Sequence, residues 1–286
     1  MKYIFMAAHE EMFTVKRMCH ALSVQRSGYY AWKRRPKSPR ELANLALMVK
    51  IREAFAISRH TYGSQRIRAY WLRRGYEYSR DRIGRLMKKD NLVPLKTAKW
   101  HPQTTQQRLG ARTAPNLLNQ EFVATRPNEK WVGDITYIDT AEGWLYLATL
   151  LDLYSRRVVG WAMAEKIDAS LVASAWKMAV THRRPPAQLL HHSDRGSQYT
   201  SEAYLRLLET AGCLISMSRT GNCYDNAVME SFYATLKGEC AYRQFSTKAE
   251  ARLTIFEYIE VWYNRQRLHS SLGYLSPVEF EQSSGH

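Results

Sequence analysis

Three acidic residues, Asp134, Asp194 and Glu230, sit where their side chains could converge. Asp134 falls inside a run of strand-forming residues, Trp131-Val132-Gly133-Asp134-Ile135-Thr136-Tyr137. A carboxylate among Val, Ile and Tyr is costly unless it is paired or binds a cation. Asp194 ends another strand-like run, in His191-His192-Ser193-Asp194-Arg195-Gly196, and Glu230 lies in helical sequence. Carboxylates that meet at one sheet edge offer hard oxygen ligands. They suit two Mg²⁺ ions about 3.5–4 Å apart, one activating an attacking oxygen and one stabilising the leaving 3′ oxygen of an in-line phosphoryl displacement. Spacing alone does not select this triple, since 19 of the last 186 residues are acidic. Asp139, Asp152 and Asp225 compete with it, Asp225 as a cap for the Glu230 helix.

Helical periodicity places Asn226 and Lys237 on the face that carries Glu230, and both are candidate DNA contacts. The rise per residue sets Lys237 about 10 Å along the axis from Glu230, within reach of a phosphate held over the metals. His191 and His192 are expected to pack or hydrogen-bond beside Asp194 rather than ligate, because such a Mg²⁺ site prefers oxygen. Tyr233 reads as core or as a contact near DNA, and Trp262 and Tyr263 read as core.

The elements that must position these groups follow from residue 127 onward. Strands are expected at 131–138, 144–151, 156–161, 188–192 and 214–217, and helices at 169–181, 201–210, 225–240 and 248–267. Three successive short strands imply antiparallel pairing, and the later alternation implies crossovers with helices on the faces. The result is a mixed α/β sheet.

The first third differs in charge. Residues 1–100 hold 23 Lys and Arg against 7 Asp and Glu, whereas residues 101–286 hold 19 of each. A basic block interleaved with Tyr and Trp is the footprint of a polyanion-binding module. It divides into two helical units with a break near 36–40: one over 13–35, where Ser23 is placed to cap a helix, and one with helices at 42–57, 64–73 and 80–89. In the last of these Ile83, Leu86 and Met87 form a buried stripe behind Ser79 as N-cap. That leaves Arg80, Arg82, Arg85, Lys88 and Lys89 outward to meet DNA in a helix-turn-helix arrangement. The domains are therefore a basic helical DNA-binding region at 1–95, a polar linker at 96–126, a catalytic core at 127–245 and a C-terminal helix and tail at 246–286.

Four scattered cysteines without a C-x-x-C pair argue against a zinc module and suit a reducing cytoplasm. No apolar run reaches the roughly 18–20 residues of a membrane span, and the N-terminus lacks a signal-peptide pattern. The expected location is the cytoplasm of a bacterium, at the nucleoid through DNA binding.

Further motifs make a family resemblance visible. They are His192-Ser193-Asp194-Arg195-Gly196-Ser197-Gln198-Tyr199, Gly221-Asn222-Cys223-Tyr224-Asp225-Asn226-Ala227 leading to Glu230 and Lys237, and the tail Tyr263-Asn264-Arg265-Gln266-Arg267-Leu268-His269-Ser270-Ser271-Leu272-Gly273-Tyr274 with Ser276-Pro277. Near the N-terminus stand Ser27-Gly28-Tyr29-Tyr30-Ala31-Trp32 and Tyr62-Gly63-Ser64-Gln65-Arg66-Ile67. With these the chain resembles the DDE insertion-sequence transposases of the "IS-three" family, specifically the OrfB product with its retroviral-integrase-like core. The 35 residues between Asp194 and Glu230 match the spacing of the family's D-D-35-E motif, with Lys237 as its companion basic residue.

The resemblance implies an RNase H-like mixed-sheet catalytic core preceded by a basic all-α, helix-turn-helix-like DNA-binding region. It implies Mg²⁺ as cofactor (two ions, Mn²⁺ substituting), held by Asp134, Asp194 and Glu230, with Lys237 assisting. The implied reaction is cleavage at the element's ends and attack of the freed 3′-hydroxyl on a phosphodiester. The implied partners are terminal inverted repeats and target DNA, further copies of the chain on DNA, and the upstream OrfA product, separate or fused by frameshifting. A nuclease that cuts without joining and a non-catalytic DNA-binding regulator are the competing readings.

Overall fold

The computed structural model describes residues 1–95, 112–219, 223–241 and 243–283. It divides into two compact units, Met1–Glu53 and Ala54–His286.

The first unit holds α1 (Lys2–Ala8), α2 (Val15–Ala21), α3 (Arg26–Arg34) and most of α4 (Pro39–Ile57). Met6, Met18, Cys19 and Tyr29 form its small core, flanked by Tyr3, Val15, Leu22 and Val24. Ser23 does not cap α3. It adopts a left-handed φ of 51° in the turn, and Gln25 takes the N-cap position. The break at 36–40 is narrower than expected, because Pro39 opens α4. Ser38 Oγ accepts from Glu41 N–H at 3.2 Å and Glu41 Oε2 accepts from Ser38 N–H at 3.0 Å, a reciprocal capping box with Pro at the first helical position.

The second unit begins with α5 (Ser64–Leu72) and α6 (Arg80–Lys89), joined through Gly75 at φ +81°. Ser79 caps α6 by accepting from Arg82 N–H, and Ile83, Leu86 and Met87 are buried as expected. Arg80, Arg85, Lys88 and Lys89 are exposed and Arg82 is half-buried. Residues 96–111 lie outside the described residues. The described remainder of the stretch expected as linker packs down: Leu118 is buried, and the N–H groups of Leu117 and Leu118 donate to Ser216 Oγ at 2.9 and 3.1 Å.

The sheet contains β1 (Lys130–Ile138), β2 (Leu145–Asp152), β3 (Val158–Ala164), β4 (Leu190–Ser193) and β5 (Leu214–Met217), in the order β3-β2-β1-β4-β5. The first three form an antiparallel meander, and β4 and β5 run parallel to β1. This mixed order is the RNase H-like arrangement. Between strands come α7 (Ala169–Arg183), capped by Asp168, and α8 (Glu202–Thr210), capped by Ser201. Trp131, Leu150, Val159, Trp176, Leu189 and Tyr204 are among the side chains that close the core between helices and sheet.

A short 3₁₀ turn, Cys223–Asn226, leads into α9 (Ala227–Glu239), so the Glu230 helix starts two residues later than expected. The helix expected at 248–267 is α10 (Lys248–Glu257) followed by a π-helical turn, Tyr258–Tyr263. The wider turn lets Tyr258, Ile259, Trp262 and Tyr263 all be buried. It also aims Asn264 at β3, where its amide exchanges two 3.0 Å hydrogen bonds with the Val158 backbone. Arg267 then forks onto Glu239 at the end of α9, with N···O distances of 2.7–3.0 Å. The tail ends in α11 (Pro277–Ser283), where Glu281 accepts from Arg157, Arg183 and Ser155 at 2.7–2.8 Å.

Packing of α7 on the sheet depends on Gly160. A Cβ there would stand 2.3 Å from the Ala175 carbonyl oxygen and 2.6 Å from Ala179 Cβ. Gly160→Ala should lower stability by about 1–3 kcal/mol or more through overpacking, read as a lower urea midpoint. An unchanged midpoint would mean that α7 does not press on β3 in solution.

Candidate active site

The parallel register of β1 and β4 pairs Trp131 with His191 and Val132 with His192. Extended two residues, it sets Asp134 level with Asp194, just past the carboxyl end of β4. Asp134 is half-buried, and its Oδ1 accepts from the Ile135 N–H at 2.8 Å. Asp194 is also half-buried. Its Oδ1 accepts from the Gly196 N–H at 2.9 Å, and a Cβ on Gly196 would come within 3.0 Å of that oxygen. Glu230 projects exposed from the first turn of α9.

Burial pushes the Asp134 carboxyl well above its usual range, and the charge of Asp194 raises it further. The Ile135 N–H opposes this, Glu230 adds to it, and Lys237 opposes it. The other two expected carboxylates and the expected lysine thus all act on Asp134 through space.

Tyr233, one turn beyond Glu230, ties α9 to the sheet. Its hydroxyl donates to the Asp134 carbonyl at 2.5 Å and accepts from Thr149 Oγ1 at 2.8 Å, which satisfies the single phenolic proton. The sequence offered packing or a contact near DNA for this residue, and only the register of β1 against β2, with Asp134 opposite Thr149, assigns the bond. Lys237 is half-buried with Nζ 4.5 Å over the Tyr137 ring. Burial lowers its ammonium to about 8, with Asp134 pulling the other way.

The competing carboxylates are engaged elsewhere. Asp152 is fully buried and accepts from the N–H groups of Asn128 and Tyr154 at 2.7 and 2.8 Å, so it organises a turn. Asp139 is exposed and bonded to Gln244. Asp225 is buried and takes the Arg219 guanidinium at 2.8 and 3.1 Å, the Arg219 N–H at 2.8 Å and Gln120 Nε2 at 2.9 Å. Arg219 first, then burial acting the other way, sets its carboxyl far below the usual range. Asp225 is therefore a brace across the turn before α9 rather than its cap. The N-cap position belongs to Asn226, which makes no capping bond. Asn226, expected as a DNA contact, is buried, and its Oδ1 has no partner among the described residues.

His191 and His192 stay off the carboxylates. His191 Nε2 meets the Tyr204 hydroxyl at 2.9 Å, while His192 bridges Ser216 Oγ at 2.8 Å and Ser218 Oγ at 3.1 Å. Burial lowers the two rings to about 3 and about 4, so both are neutral and structural.

Among the described residues no three His, Cys, Asp or Glu side chains are gathered closely enough to hold a metal ion. The donor chemistry nevertheless fits a hard divalent cation: carboxylate oxygens on adjacent strands, one of them raised by burial and by like charge. A cation between them would relieve that repulsion.

Family models match the chain in three places: an integrase core domain over residues 124–223, a further integrase core domain over 211–277, and an HTH-like domain over 41–99. An uncharacterised 31 kDa protein of insertion element IS600 from Shigella sonnei is 45% identical, over 93% of this chain and 97% of its own length. The transposase InsF for insertion sequence IS3A of Escherichia coli (strain K12) is 40% identical over 99% of both chains. Among solved structures, the HTLV-2 integrase catalytic core domain in complex with magnesium is 15% identical with a TM-score of 0.42. That match covers 55% of this chain and 97% of the other, a likeness too distant to carry an inference.

A carboxyl raised by burial and like charge takes up its proton at a higher pH when folded than when unfolded, so stability falls as pH rises above about 4. Asp134→Asn should therefore raise Tm at pH 7 in EDTA by a few degrees, since ~1 kcal/mol moves Tm by about 2–4 °C at this size. Calorimetry in EDTA checks this, and a lowered Tm would contradict the electrostatic account.

Proposed function

Because this chain belongs to the family of IS3-type insertion-sequence transposases, we propose that it cuts the ends of its element and joins the freed 3′-hydroxyl to another phosphodiester. Asp134, Asp194 and Glu230 are its catalytic carboxylates in this reading. What supports it most is that Asp134 and Asp194 stand level on adjacent parallel strands while Glu230 and Lys237 act electrically on Asp134.

The three carboxylates would hold two Mg²⁺ ions, with Mn²⁺ as a substitute, which supply activation of the attacking oxygen and stabilisation of the leaving 3′ oxygen. The chain's own contribution is placement. Tyr233 fixes the strand at Asp134, and the Asp225–Arg219–Gln120 brace fixes the turn that delivers Glu230. Lys237 presents a positive charge to a phosphate of the strand being cut. The exposed Arg80, Arg85, Lys88 and Lys89 of α6, with Arg82, neutralise phosphates of the element's terminal repeats, within a DNA-binding region spanning 1–95. The enzyme works as a homo-oligomer on DNA, joined by or fused to the upstream OrfA product. No helix among the described residues is long and apolar enough to cross a membrane.

Labelled DNA carrying the element's ends, incubated with Mg²⁺ or EDTA, tests the reading on a denaturing gel. Wild type should yield Mg²⁺-dependent nicks at 3′ ends and joined strands. Glu230→Gln should lose both by about a thousandfold, the scale of several kcal/mol of charge stabilisation. Cutting without joining would favour a nuclease, and binding without either reaction, also with OrfA supplied, would favour a regulator.

A second expectation concerns pH. Lys237 loses its charge above about 8, so DNA affinity should fall as pH rises through that value, by up to tenfold per unit. Lys237→Arg should keep its affinity to higher pH in fluorescence-anisotropy titrations. Parallel curves for the two proteins would remove Lys237 from the DNA.

A further inference from the structure

Two motifs remain without a role: the Tyr62–Ile67 run in α5 and the tail around Arg267–Ser271. They are about 200 residues apart in sequence, yet they line one cleft of about 370 Å³ beside α9. Its walls include Arg66, Arg156, Arg267, His269, Ser270 and Ser271, and its floor includes Ala227 and Val228 in the first turn of α9. Ala227, Ser231 and Thr235, which also line it, lie roughly 60°, 100° and 140° around the helix from Glu230. The cleft is thus separate from the carboxylates but shares their helix.

Its charge is unbalanced. Arg267 is compensated by Glu239. Arg66 has the Tyr62 ring 5.7 Å away, and Arg156 donates to the Phe122 carbonyl at 3.3 Å, but among the described residues neither forms an ion pair. Burial, and for Arg66 the nearby Arg267, lowers both guanidinium groups from their ordinary range, with Glu239 opposing this at Arg66 and Asp152 at Arg156. His269 is 9% exposed, and its Nε2 is buried with no partner among the described residues. Burial and then Arg267, Arg66 and Arg156 keep the ring neutral, so Nε2 can carry a proton to donate. The start of α9, where Ala227 and Val228 line the cleft, adds the positive end of a helix dipole. Two half-buried cations that form no ion pair among the described residues, an unpartnered imidazole nitrogen and a helix start all favour the same occupant, an oxyanion.

We propose that this cleft is a phosphate-binding site. Arg66 of the Tyr62–Ile67 run and Arg156 of the β2–β3 turn clamp the oxyanion, and His269 Nε2 donates to it beside the start of α9. The occupant is a backbone phosphate of the bound DNA, so that DNA contact steadies the helix that carries Glu230. The DNA assignment rests on the transposase reading; the anion site does not.

The test uses the full chain as wild type, Arg66→Gln and, on the other wall, Arg156→Gln. Thermal melting in sodium phosphate against sodium chloride at matched ionic strength reads the site directly. Wild type should gain more Tm in phosphate than either variant, each protein's gain being read against its own Tm in chloride. Duplex binding over 50–200 mM salt is the second arm, where each variant should lower the slope of log K against log salt by about one. A lost phosphate response with an unchanged salt slope would keep the anion site and overturn the DNA assignment in favour of free phosphate. An equal phosphate response in all three proteins would overturn the site. Failure of the transposase reading would appear separately, in strand transfer by Glu230→Gln, which leaves both arginines in place.

Discussion

The proposed site depends on how α9 is held, because Glu230 has no strand of its own to fix it. Two buried interactions hold it. Midway along, the Tyr233 hydroxyl donates to the carbonyl of Asp134 itself, so the helix is indexed against the residue it must face. At its end, Glu239 takes the forked guanidinium of Arg267 and the side chains of Tyr258 and Trp262, at 2.7–3.3 Å. A buried ion pair adds little net stability once the desolvation of both charges is counted, but removing one partner leaves a stranded charge at about 3–5 kcal/mol. Its value here is registry: Glu239 fits one position against the π-helical turn, and a slip of α9 would strand Arg267.

With the scaffold fixed, the site can carry strain of an electrostatic kind. Asp134 is half-buried beside Asp194 and feels Glu230 as well, an arrangement that opposes folding in the absence of a cation. Sites that bind metals often hold such repulsion, and the rest of the fold must absorb it. The surroundings fit that role. The neutral His191 and His192 bond to Tyr204, Ser216 and Ser218 without adding charge to the carboxylates. The Asp225–Arg219 pair keeps another carboxylate from joining the cluster.

The sequence carried the strands and α6 with its Ser79 cap, because period, caps and residue type are local signals. Asp134 stood out as a charge among strand formers, and its level with Asp194 follows from a parallel register that its neighbours fix. What sequence could not give was the partner of each polar group. Asp225 looked like a cap and is a brace, because Arg219 and Gln120 reach it only after the turn closes. Asn226 shares a helical face with Glu230 by period but sits in the 3₁₀ turn before α9, where that period no longer holds, and it is buried. The sequence placed a break near 36–40 and missed that Ser38 and Glu41 form a capping box there, with Pro39 as the first helical residue. The π-helical turn has no local signature, since it arises from the need to bury Tyr258, Ile259, Trp262 and Tyr263 together.

The arginines divide into two kinds, and the division bears on how a strand-transfer enzyme must use DNA. Those on α6 are exposed or half-buried at the surface, so in the proposed reading each would neutralise a phosphate in high dielectric, weakly and without fixed geometry. Many such contacts give affinity and let the protein move along DNA, but they cannot place one phosphodiester to within a fraction of an ångström. Arg66 and Arg156 are fewer and closer to the low-dielectric interior, where a charge without a counter-ion is expensive until an anion arrives. That cost makes their response to DNA steep and local. Since the cleft they line shares α9 with Glu230, a phosphate seated there would be felt by the catalytic helix, whereas one on α6 need not be. Diffuse attraction and positional control are thus assigned to different side chains, and only the second kind is wired to the carboxylates.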